Sequence, residues 1–370
     1  MMIEVDDIFS DTARLNKVFK ELYGDSPEVV DQNISRYQAL KEKFEKKFGP
    51  GSISFFSSPG RTEITGNHTD HNGGKVLTAS IDLDTIAAAQ KNDKEKIIVH
   101  SDGYSEIFSV NLDDLEPKAE KGTKALLRGI AAGMKRKGYN IGGVNAFVTS
   151  NVANGSGISS SAAFEMLILQ IMNHFFNNGE IKISELAKIG KYAENNYWKK
   201  PSGLLDQMAC GTGGLITIDF KDPDNPDVTP IKYDFAKEGY KFLVLHTGAE
   251  HGNLTPKYAK IPKDMWAIAK ELGAEKLCDV KFEDFLGKVA SLRKKCGDQA
   301  VLRAMHFFTE NIRVDEQVSA LKNKNFAAFV QLITDSGNSS WRILQNCYDG
   351  AMPEQQNIPV ALSLTEYFLK

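Results

Sequence analysis

The sequence of 370 residues has few of the residues that cross-link small secreted proteins or bind structural zinc. It contains four cysteines, Cys210, Cys278, Cys296 and Cys347, and no C-x-x-C pair. This spacing argues against a disulfide framework and against a cysteine-ligated zinc site, and it fits a reducing cytosol. The length suggests two domains, at about 150 residues per domain.

Segments that would target or anchor the chain are also missing. The N-terminal residues M-M-I-E-V-D-D are acidic and have neither the basic start nor the apolar stretch of a signal peptide. The longest apolar run, 162–176, contains Glu165, Gln170, Asn173 and His174 and does not reach membrane-spanning length. The net charge of -3 gives no reason to expect nucleic acid or an anionic membrane as partner. We therefore expect a cytoplasmic protein with small-molecule partners.

Two familiar phosphate-binding patterns are absent, but a loop of similar composition is present. The stretch 151–164 reads N-V-A-N-G-S-G-I-S-S-S-A-A-F, with no G-K-[ST] and no G-x-G-x-x-G spacing. The apolar run after it predicts a buried helix. A glycine-rich loop before a helix favours anions, because free N–H groups and the helix dipole point at the ligand. A small-residue turn that caps a core helix explains the local pattern equally well.

A second polar segment, 59–74, reads P-G-R-T-E-I-T-G-N-H-T-D-H-N-G-G. The planar fork of Arg61 suits a phosphate or a carboxylate, and His68 and Asp70 suit sugar hydroxyls. A metal site formed by His68, Asp70 and His71, or a polar loop with a helix-capping aspartate, are the alternatives.

The third segment, 201–211, places Asp206 among apolar residues and glycines. A carboxylate buried there needs a partner or a shifted pKa, which makes Asp206 a candidate general base. A helix-capping aspartate is the alternative.

Periodicity and turn residues predict the elements around these segments. The first half is predicted to contain helices at 7–23, 36–48, 122–138, 162–176 and 183–197, and strands at 53–56, 75–90, 96–100, 107–110, 143–149 and 213–218. A loop is predicted at 219–230, where three prolines and four aspartates lie, and it separates domains 1–218 and 219–370. The second half is predicted to contain a strand at 242–246, helices at 257–272, 281–295, 298–323 and 325–337, a turn at 336–340 and a final helix from 361.

The three segments, in this order, resemble the GHMP small-molecule kinases and, within them, the galactokinases. G-R-T-E-I-T-G-N-H-T-D-H-N-G-G looks like the galactokinase signature, usually G-R-x-N-L-I-G-E-H-T-D-Y-N-x-G. G-S-G-I-S-S-S-A-A is similar to the phosphate loop G-x-G-L-S-S-S-A-A, and A-E-N with P-S-G-L-L-D-Q resembles A-E-N and G-I-M-D-Q. The resemblance implies an α+β, two-domain GHMP kinase fold, with a ribosomal-protein-S5-like N-terminal domain and a ferredoxin-like C-terminal domain. It also implies phosphorylation of the C1 hydroxyl of galactose to galactose 1-phosphate.

The same resemblance implies roles for single residues, with ATP and Mg²⁺ as cofactors. Asp206 matches the catalytic aspartate that orients or deprotonates the sugar hydroxyl, and Arg61 matches the arginine beside it. The positions that match the triphosphate cradle are Gly155, Ser156, Gly157, Ser159, Ser160 and Ser161. The positions that match the magnesium ligands are Ser160 or Ser161, with Glu194. The positions that match sugar contacts are Asn67, His68, Asp70, Gly203 and Tyr258.

Several departures from the family pattern bear on specificity. Asn67 replaces the usual Glu, His71 replaces the usual Tyr, and Glu63 replaces the usual Asn. A-L-S-L-T-E near the end of the sequence also resembles the family, but the family's C-terminal motif, about G-G-G-F-A-G, does not follow it. This fits either a shortened sequence or an altered member. Two further hypotheses therefore stay open beside the galactokinase: a catalytically weak sugar and nucleotide sensor, and a kinase for a related hexose.

Overall fold

The computed structural model describes residues 2–5, 9, 11–200, 202–245, 247–248 and 255–369. Its strands are β1 Met2–Val5, β2 Ile53–Thr65, β3 Lys75–Lys91, β4 Lys96–Ser101, β5 Ile107–Asn111, β6 Val144–Ser150, β7 Leu215–Asp219 and β8 Asp227–Pro230. Its helices are α1 Thr12–Tyr23, α2 Pro27–Phe48, α3 Gly122–Arg136, α4 Ser160–Asn177, α5 Ile183–Ala193, α6 Leu205–Thr212, α7 Thr255–Glu271, α8 Phe282–Cys296, α9 Asp298–Lys322, α10 Phe326–Ser339 and α11 Asn357–Phe368.

The chain divides into two compact units, and each is built from more than one stretch of sequence. The first unit comprises Met1–Arg61 and Ser80–Gly213, and the second comprises Thr62–Ala79 and Gly214–Lys370. Strands β2 and β3 each contribute residues to both units. The predicted division at 218 and 219 stays a prediction.

The first unit has a mixed sheet covered by helices. Strand β1 pairs antiparallel with β2, the 85–91 part of β3 pairs antiparallel with β6, and β6 pairs parallel with β4, which is joined to β5 as a hairpin. Apolar residues of α1 and α2 pack against this sheet, so the two helices form a core with it. The fully buried members of that core include Phe19, Leu40, Phe44, Ile86 and Ala88.

A buried polar network also ties α1 and α2 to β3. The Asp84 carboxylate accepts hydrogen bonds from Tyr23 Oη at 2.6 Å and Ser57 Oγ at 2.6 Å, and it is paired with the Arg36 guanidinium. A carboxylate that is only 3% exposed needs such partners, because burying a lone charge is costly. The network therefore fixes the N-terminal helices on the sheet.

The second unit is mainly helical. The 75–79 part of β3 pairs antiparallel with β7, which pairs antiparallel with β8. One core lies among α7, α8 and α9, and its central residues are Met265, Ile268, Phe285, Ala304 and Phe307. A second core joins the strands to α9 and α10, through Leu77, Leu215, Val314, Leu321 and Phe329.

Most predicted elements lie where the structure has them, but some boundaries were wrong. Helix α2 begins at Pro27, not at Arg36, because Ser26 and Pro27 form a helix start. It ends at Phe48, as predicted, and Gly49, whose φ is 88°, caps it. Strand β2 does not stop at Ser57 but continues to Thr65 through Pro59 and Gly60. Residues 7, 8 and 246, which belong to two of the predicted elements, lie outside the described residues.

Three predictions in the second half were wrong in kind. The predicted loop at 219–230 ends in β8, which pairs with β7. No strand forms at 241–245, where the apolar side chains are exposed and no described strand pairs with them. The predicted turn at 336–340 is the end of α10, followed by a π turn at Ser340–Leu344. Within the described residues, no helix is long and apolar enough to cross a membrane.

Candidate active site

Arg61 and Asp206 form an ion pair in the first unit. Arg61 lies in β2 and Asp206 lies in the first turn of α6. Arg61 Nε and Nη2 both donate to Asp206 Oδ1, at 3.0 and 2.8 Å, while Nη1 donates to the backbone oxygen of Gly157 at 2.7 Å. The guanidinium therefore connects the candidate catalytic carboxylate to the glycine loop.

The other oxygen of Asp206 is held by the serine loop. Ser159 Oγ donates to Asp206 Oδ2 at 2.6 Å. Burial alone would raise the pKa of Asp206, but the positive charge of Arg61 and the hydrogen bond from Ser159 outweigh it, so the pKa lies below its ordinary value. Asp206 is therefore an ionised carboxylate at neutral pH.

The glycine loop leads directly into α4. Gly155 and Gly157 have φ values of 71° and 77°, a left-handed region that glycine enters without strain. Ser159, at the N-cap position of α4, also has a positive φ of 61°, which is unfavourable for a residue with a side chain. Ser156 Oγ donates to the backbone oxygen of Ala153 at 2.6 Å and so stabilises the turn. The N-terminus of an 18-residue helix thus follows the loop, as anion binding requires.

Glu194 forms a second polar cluster in the first unit, at the start of a π turn, Glu194–Trp198. Of the two candidate serines, Ser161 is the one that donates to Glu194, from Oγ to Oε1 at 3.0 Å. Lys200 Nζ donates to the same Glu194 oxygen at 2.8 Å and to Ser161 Oγ at 3.2 Å. The Glu194 side chain is 2% exposed and that of Lys200 is 43% exposed, so the ammonium approaches a buried carboxylate from the surface.

A buried amide holds the other oxygen of Glu194. Gln207 Nε2 donates to Glu194 Oε2 at 3.1 Å and to Glu165 Oε2 at 3.0 Å. The pKa of Glu165 lies well above its ordinary value, because the carboxyl is buried and because Glu194 is negatively charged. Gln207 directly follows Asp206, so one turn of α6 carries both the candidate catalytic group and a support for Glu194.

The predicted sugar residues fall into two groups. Gly203 lies in the first unit, three residues before Asp206, whereas Asn67, His68, Asp70 and Tyr258 lie in the second unit. The rings of His68 and Tyr258 are in contact, with centroids 5.6 Å apart. Asp70 begins a short 3₁₀ turn, Asp70–Asn72. Among the described residues, no group of three or more His, Cys, Asp or Glu side chains is placed to hold a metal, which argues against the alternative metal site at 68–71.

Helices α9 and α10 hold the backbone of the sugar segment through buried side chains. His306 Nε2 lies 2.8 Å from the backbone oxygen of Asn67, and Nδ1 lies 2.8 Å from Ser339 Oγ. Because a carbonyl oxygen can only accept, Nε2 carries the proton and donates to Asn67, while Nδ1 accepts from Ser339. Burial lowers the pKa of His306 to about 4, so the ring is neutral at neutral pH.

Glu310 completes this network one helical turn later. Its Oε2 accepts from the backbone N–H of Gly66 at 2.9 Å and from Ser336 Oγ at 2.7 Å, and the carboxylate is paired with Arg313. Asn67 Nδ2 donates to Ser340 Oγ at 3.1 Å. The side chain of Asn67 is therefore engaged within the second unit.

Sequence reasoning missed Lys200, Gln207, Glu165, His306 and Glu310. His306 and Glu310 are spaced four residues apart within a helix whose buried face is mostly apolar, so their polarity at buried positions was the available signal. The serines of α10 carry the matching signal. Ser336, Ser339 and Ser340 have the i, i+3, i+4 spacing of one helical face, although they resemble a turn in composition.

Comparisons with known proteins agree with this geometry. A family described as the galactokinase galactose-binding signature matches residues 42–91, and the GHMP kinase N-terminal domain matches residues 125–214. The crystal structure of Lactococcus lactis galactokinase complexed with galactose is similar with a TM-score of 0.73 and 26% identity, and it covers 84% of this chain and 80% of that chain. Methanococcus jannaschii mevalonate kinase shares the fold, with a TM-score of 0.52 and 17% identity, over 81% of each chain. The matched family models and the fold therefore define a GHMP-type small-molecule kinase, as predicted.

Two relatives of known name identify the family within this class of kinases. The galactokinase of Clostridium tetani is 30% identical over 310 residues, which cover 82% of this chain and 78% of the relative. A galactokinase of Clostridium perfringens is 31% identical over 307 residues, which cover 80% of this chain and 77% of the relative. The chain belongs to the galactokinase family.

Proposed function

We propose that the chain transfers a phosphoryl group from ATP to the C1 hydroxyl of galactose, and releases galactose 1-phosphate and ADP. Family membership supports the reaction, and the Lactococcus lactis relative was crystallised with galactose. The observation that carries the proposal is the Arg61–Asp206 pair, bonded to Ser159 and to Gly157 at the start of α4. This arrangement places an ionised carboxylate beside a loop suited to phosphate.

Asp206 acts on the sugar hydroxyl in this proposal. A carboxylate whose pKa is held below its ordinary value is a weak base, so its main contribution is to accept the hydrogen bond of the C1 hydroxyl and orient it for attack. A stronger base is not needed, because a loose phosphoryl-transfer transition state depends mainly on positioning of the reactants and on charge stabilisation. The proton of the hydroxyl moves to Asp206 as the new bond to phosphorus forms.

Arg61 and the glycine loop act on the phosphates. The backbone N–H groups at the start of α4 provide donors and a positive helix end, which suit the triphosphate. Arg61 keeps Asp206 ionised through two donors to Oδ1, and its charge stabilises negative charge on the transferring group. Gly155, Ser156, Gly157 and Ser160 complete the proposed cradle.

Ser161 and Glu194 suit one Mg²⁺ ion. Ser161 Oγ and Glu194 Oε1 lie 3.0 Å apart, so a hydroxyl and a carboxylate oxygen that could both hold the ion are already adjacent. Mg²⁺ commonly takes one or two carboxylates and completes its shell with waters and substrate phosphates, so a larger acidic cluster is not required. When bound, the ion neutralises charge on the phosphates.

The proposed galactokinase activity also supports a set of sugar-contacting residues and a cytoplasmic location. We propose that His68, Asp70, Gly203 and Tyr258 contact the sugar. The amide of Asn67 donates to Ser340, at the start of the π turn that follows α10, so a protein contact already orients this side chain. Use of ATP and four unpaired cysteines suit a cytoplasmic location.

The test is sugar-dependent ADP release by the full chain with galactose and a panel of other hexoses. Asp206→Asn is expected to lower kcat by about 10² to 10⁴, because the hydroxyl loses its oriented acceptor. Asp93→Asn, at an exposed position of the first unit, is the matched control and should retain wild-type turnover.

The possible results separate the hypotheses. Turnover that is highest with another hexose would identify a kinase for a related sugar, as the replacement of Glu by Asn67 allows. Saturable galactose binding without any turnover would support the sensor and refute the kinase. An Asp206→Asn variant with wild-type kcat would refute the role given to that carboxylate.

A further inference from the structure

The ammonium group of Lys200 contacts both of the oxygens that are proposed as magnesium ligands. Lys200 Nζ lies 2.8 Å from Glu194 Oε1 and 3.2 Å from Ser161 Oγ, and these two oxygens lie 3.0 Å from each other. The three groups form a closed triangle in which Ser161 donates to Glu194 and accepts from Lys200. One cation thus already bridges both oxygens.

Several features hold the lysine in this position. The backbone N–H of Lys200 donates to the backbone oxygen of Glu194 at 3.0 Å. Lys200 is therefore bonded to Glu194 through its backbone as well as through its side chain. Lys199, just before it, has a positive φ of 61° and turns the chain back towards Glu194. The ring centroid of Trp198 lies 5.1 Å from Lys200 Nζ, within range of a cation–π interaction.

A lysine ammonium and a magnesium ion cannot share these oxygens. Either cation neutralises the single negative charge of Glu194, and the second would lie within a few ångströms of a like charge. Mg²⁺ would also need a lone pair of Ser161 Oγ, an oxygen that now accepts a hydrogen bond from Lys200. The lysine side chain is 43% exposed, so it has room to swing into solvent, whereas Glu194 is buried and further held by Gln207.

We propose that Lys200 is a tethered cation that neutralises the Ser161–Glu194 site in the nucleotide-free protein and has to leave before Mg²⁺ binds there. The inference rests on the proposed function, because it concerns the same site. Lys200 is then a positioning residue, and it sets the concentration of free Mg²⁺ that the enzyme requires. Glu194 is never left as an unpaired buried charge, since one cation replaces the other.

The test compares Lys200→Met with wild type through two measurements. The first is the binding of Mn²⁺ alone to the nucleotide-free chain, followed by the loss of the free-ion electron paramagnetic resonance signal. The second is the concentration of free Mg²⁺ that gives half-maximal turnover at saturating ATP and galactose. Removing the competing ammonium is expected to lower the Mn²⁺ dissociation constant and the half-maximal Mg²⁺ concentration by about fivefold each. This factor is the upper range for an ion pair with one exposed partner.

Three further variants make the result specific. Lys135→Met removes an exposed lysine of α3 and should leave the Mn²⁺ affinity and the Mg²⁺ requirement at wild type. Lys200→Arg keeps the positive charge and should also stay near wild type. In a Glu194→Gln background, Lys200→Met should produce no further change in Mn²⁺ binding, because the shared carboxylate charge is gone.

Two outcomes would overturn the inference. Equal Mn²⁺ affinities in wild type and Lys200→Met would show that the lysine does not compete for the site. Weaker metal binding in Lys200→Met would show that the lysine supports the metal. Failure of the proposed function itself is a different observation, since wild type would then release no ADP in response to any hexose.

Discussion

At the scale of single residues, the protonation state of Asp206 depends on its neighbours. Arg61 contributes a positive charge and two donors, and Ser159 contributes a third donor, all within 3.0 Å of the carboxylate. Without them, burial would favour the protonated acid, which cannot accept the proton of a sugar hydroxyl. Ser159 has an unfavourable positive φ, so its place beside Asp206 is stabilised by the surrounding loop.

Replacing Arg61 is expected to change the pH dependence of the reaction. In Arg61→Met the pKa of Asp206 rises, because burial is no longer opposed by the guanidinium charge. The acidic limb of the profile of kcat/KM against pH should therefore move to higher pH. The value of kcat itself should fall by about 10² to 10³ through lost stabilisation of the phosphoryl charge.

The measurement is ADP release between pH 4 and 8, and exposed Arg136 of α3 provides the control. Arg136→Met should keep the wild-type profile. An acidic limb at the same pH in wild type and Arg61→Met would show that the guanidinium does not set the ionisation of Asp206.

Sequence patterns identified the candidate catalytic residues, and the family resemblance implied that Arg61 lies beside Asp206, but neither indicated the hydrogen bonds from Ser159 to Asp206 and from Lys200 to Glu194. Arg61, Asp206 and Ser159 were found because each lies in a short motif of unusual composition. Lys200 was missed because a lysine before a proline looks like an ordinary surface residue, and only the π turn after α5 brings its side chain back to Glu194. Contacts of this kind depend on backbone geometry that local propensity does not specify.

At the scale of elements, α9 and α10 act together on the segment at Gly66 and Asn67. His306 and Glu310 project from one face of α9, and the serines of α10 bond to them. Composition alone indicated a turn at 336–340, since serine and glycine favour turns. The helix persists because each of these hydroxyls has a buried partner, which offsets the weak helix propensity.

The neutral His306 makes stability depend on pH. The unfolded chain binds a proton at this histidine below about pH 6.5, whereas the folded chain binds it only near pH 4. The free energy of unfolding should therefore fall as the pH is lowered from 6.5 to 4, by on the order of 3 kcal/mol from this residue. Above pH 7 its contribution is constant.

Urea unfolding of wild type and His306→Asn across pH 4 to 8 checks this expectation. The variant should lose that part of the pH dependence, while the difference between the two proteins at pH 7.5 to 8 reports the pH-independent loss of hydrogen bonds and packing. Parallel curves for the two proteins over the whole range would rule out His306 as the source.

At the scale of the whole molecule, the GHMP kinase fold could be predicted from the order of three motifs. The composition of the two units could not, because Thr62–Ala79 belongs to the second unit although it lies within the first part of the sequence. Its apolar residues Ile64, Leu77 and Ala79 are buried against side chains of α9 and α10. Packing between residues so far apart in the sequence cannot be predicted from a local stretch of residues.

A fragment of residues 219–370 is therefore expected not to fold. It lacks Ile64, Leu77 and Leu215, each contributing about 1.5 to 3 kcal/mol through burial, and it leaves Glu310 and His306 without their partners at 66 and 67. This loss is comparable to the whole stability of a typical domain, which is about 5 to 15 kcal/mol.

Circular dichroism during thermal unfolding is the measurement. A chain in which 62–79 is joined to 214–370 by a flexible glycine–serine linker is the control, and it should recover a cooperative transition. Cooperative unfolding of 219–370 by itself would refute the expectation and support a boundary at 218.

The early position of Thr62–Ala79 also has a consequence during synthesis on the ribosome. Leu77 leaves the exit tunnel long before Phe329, with which it shares a core. At about 5 to 20 residues per second, the roughly 250 residues between them take about 10 to 50 s to translate. Throughout that interval Leu77 cannot form its buried contacts with α9 and α10, because those helices have not yet been synthesised.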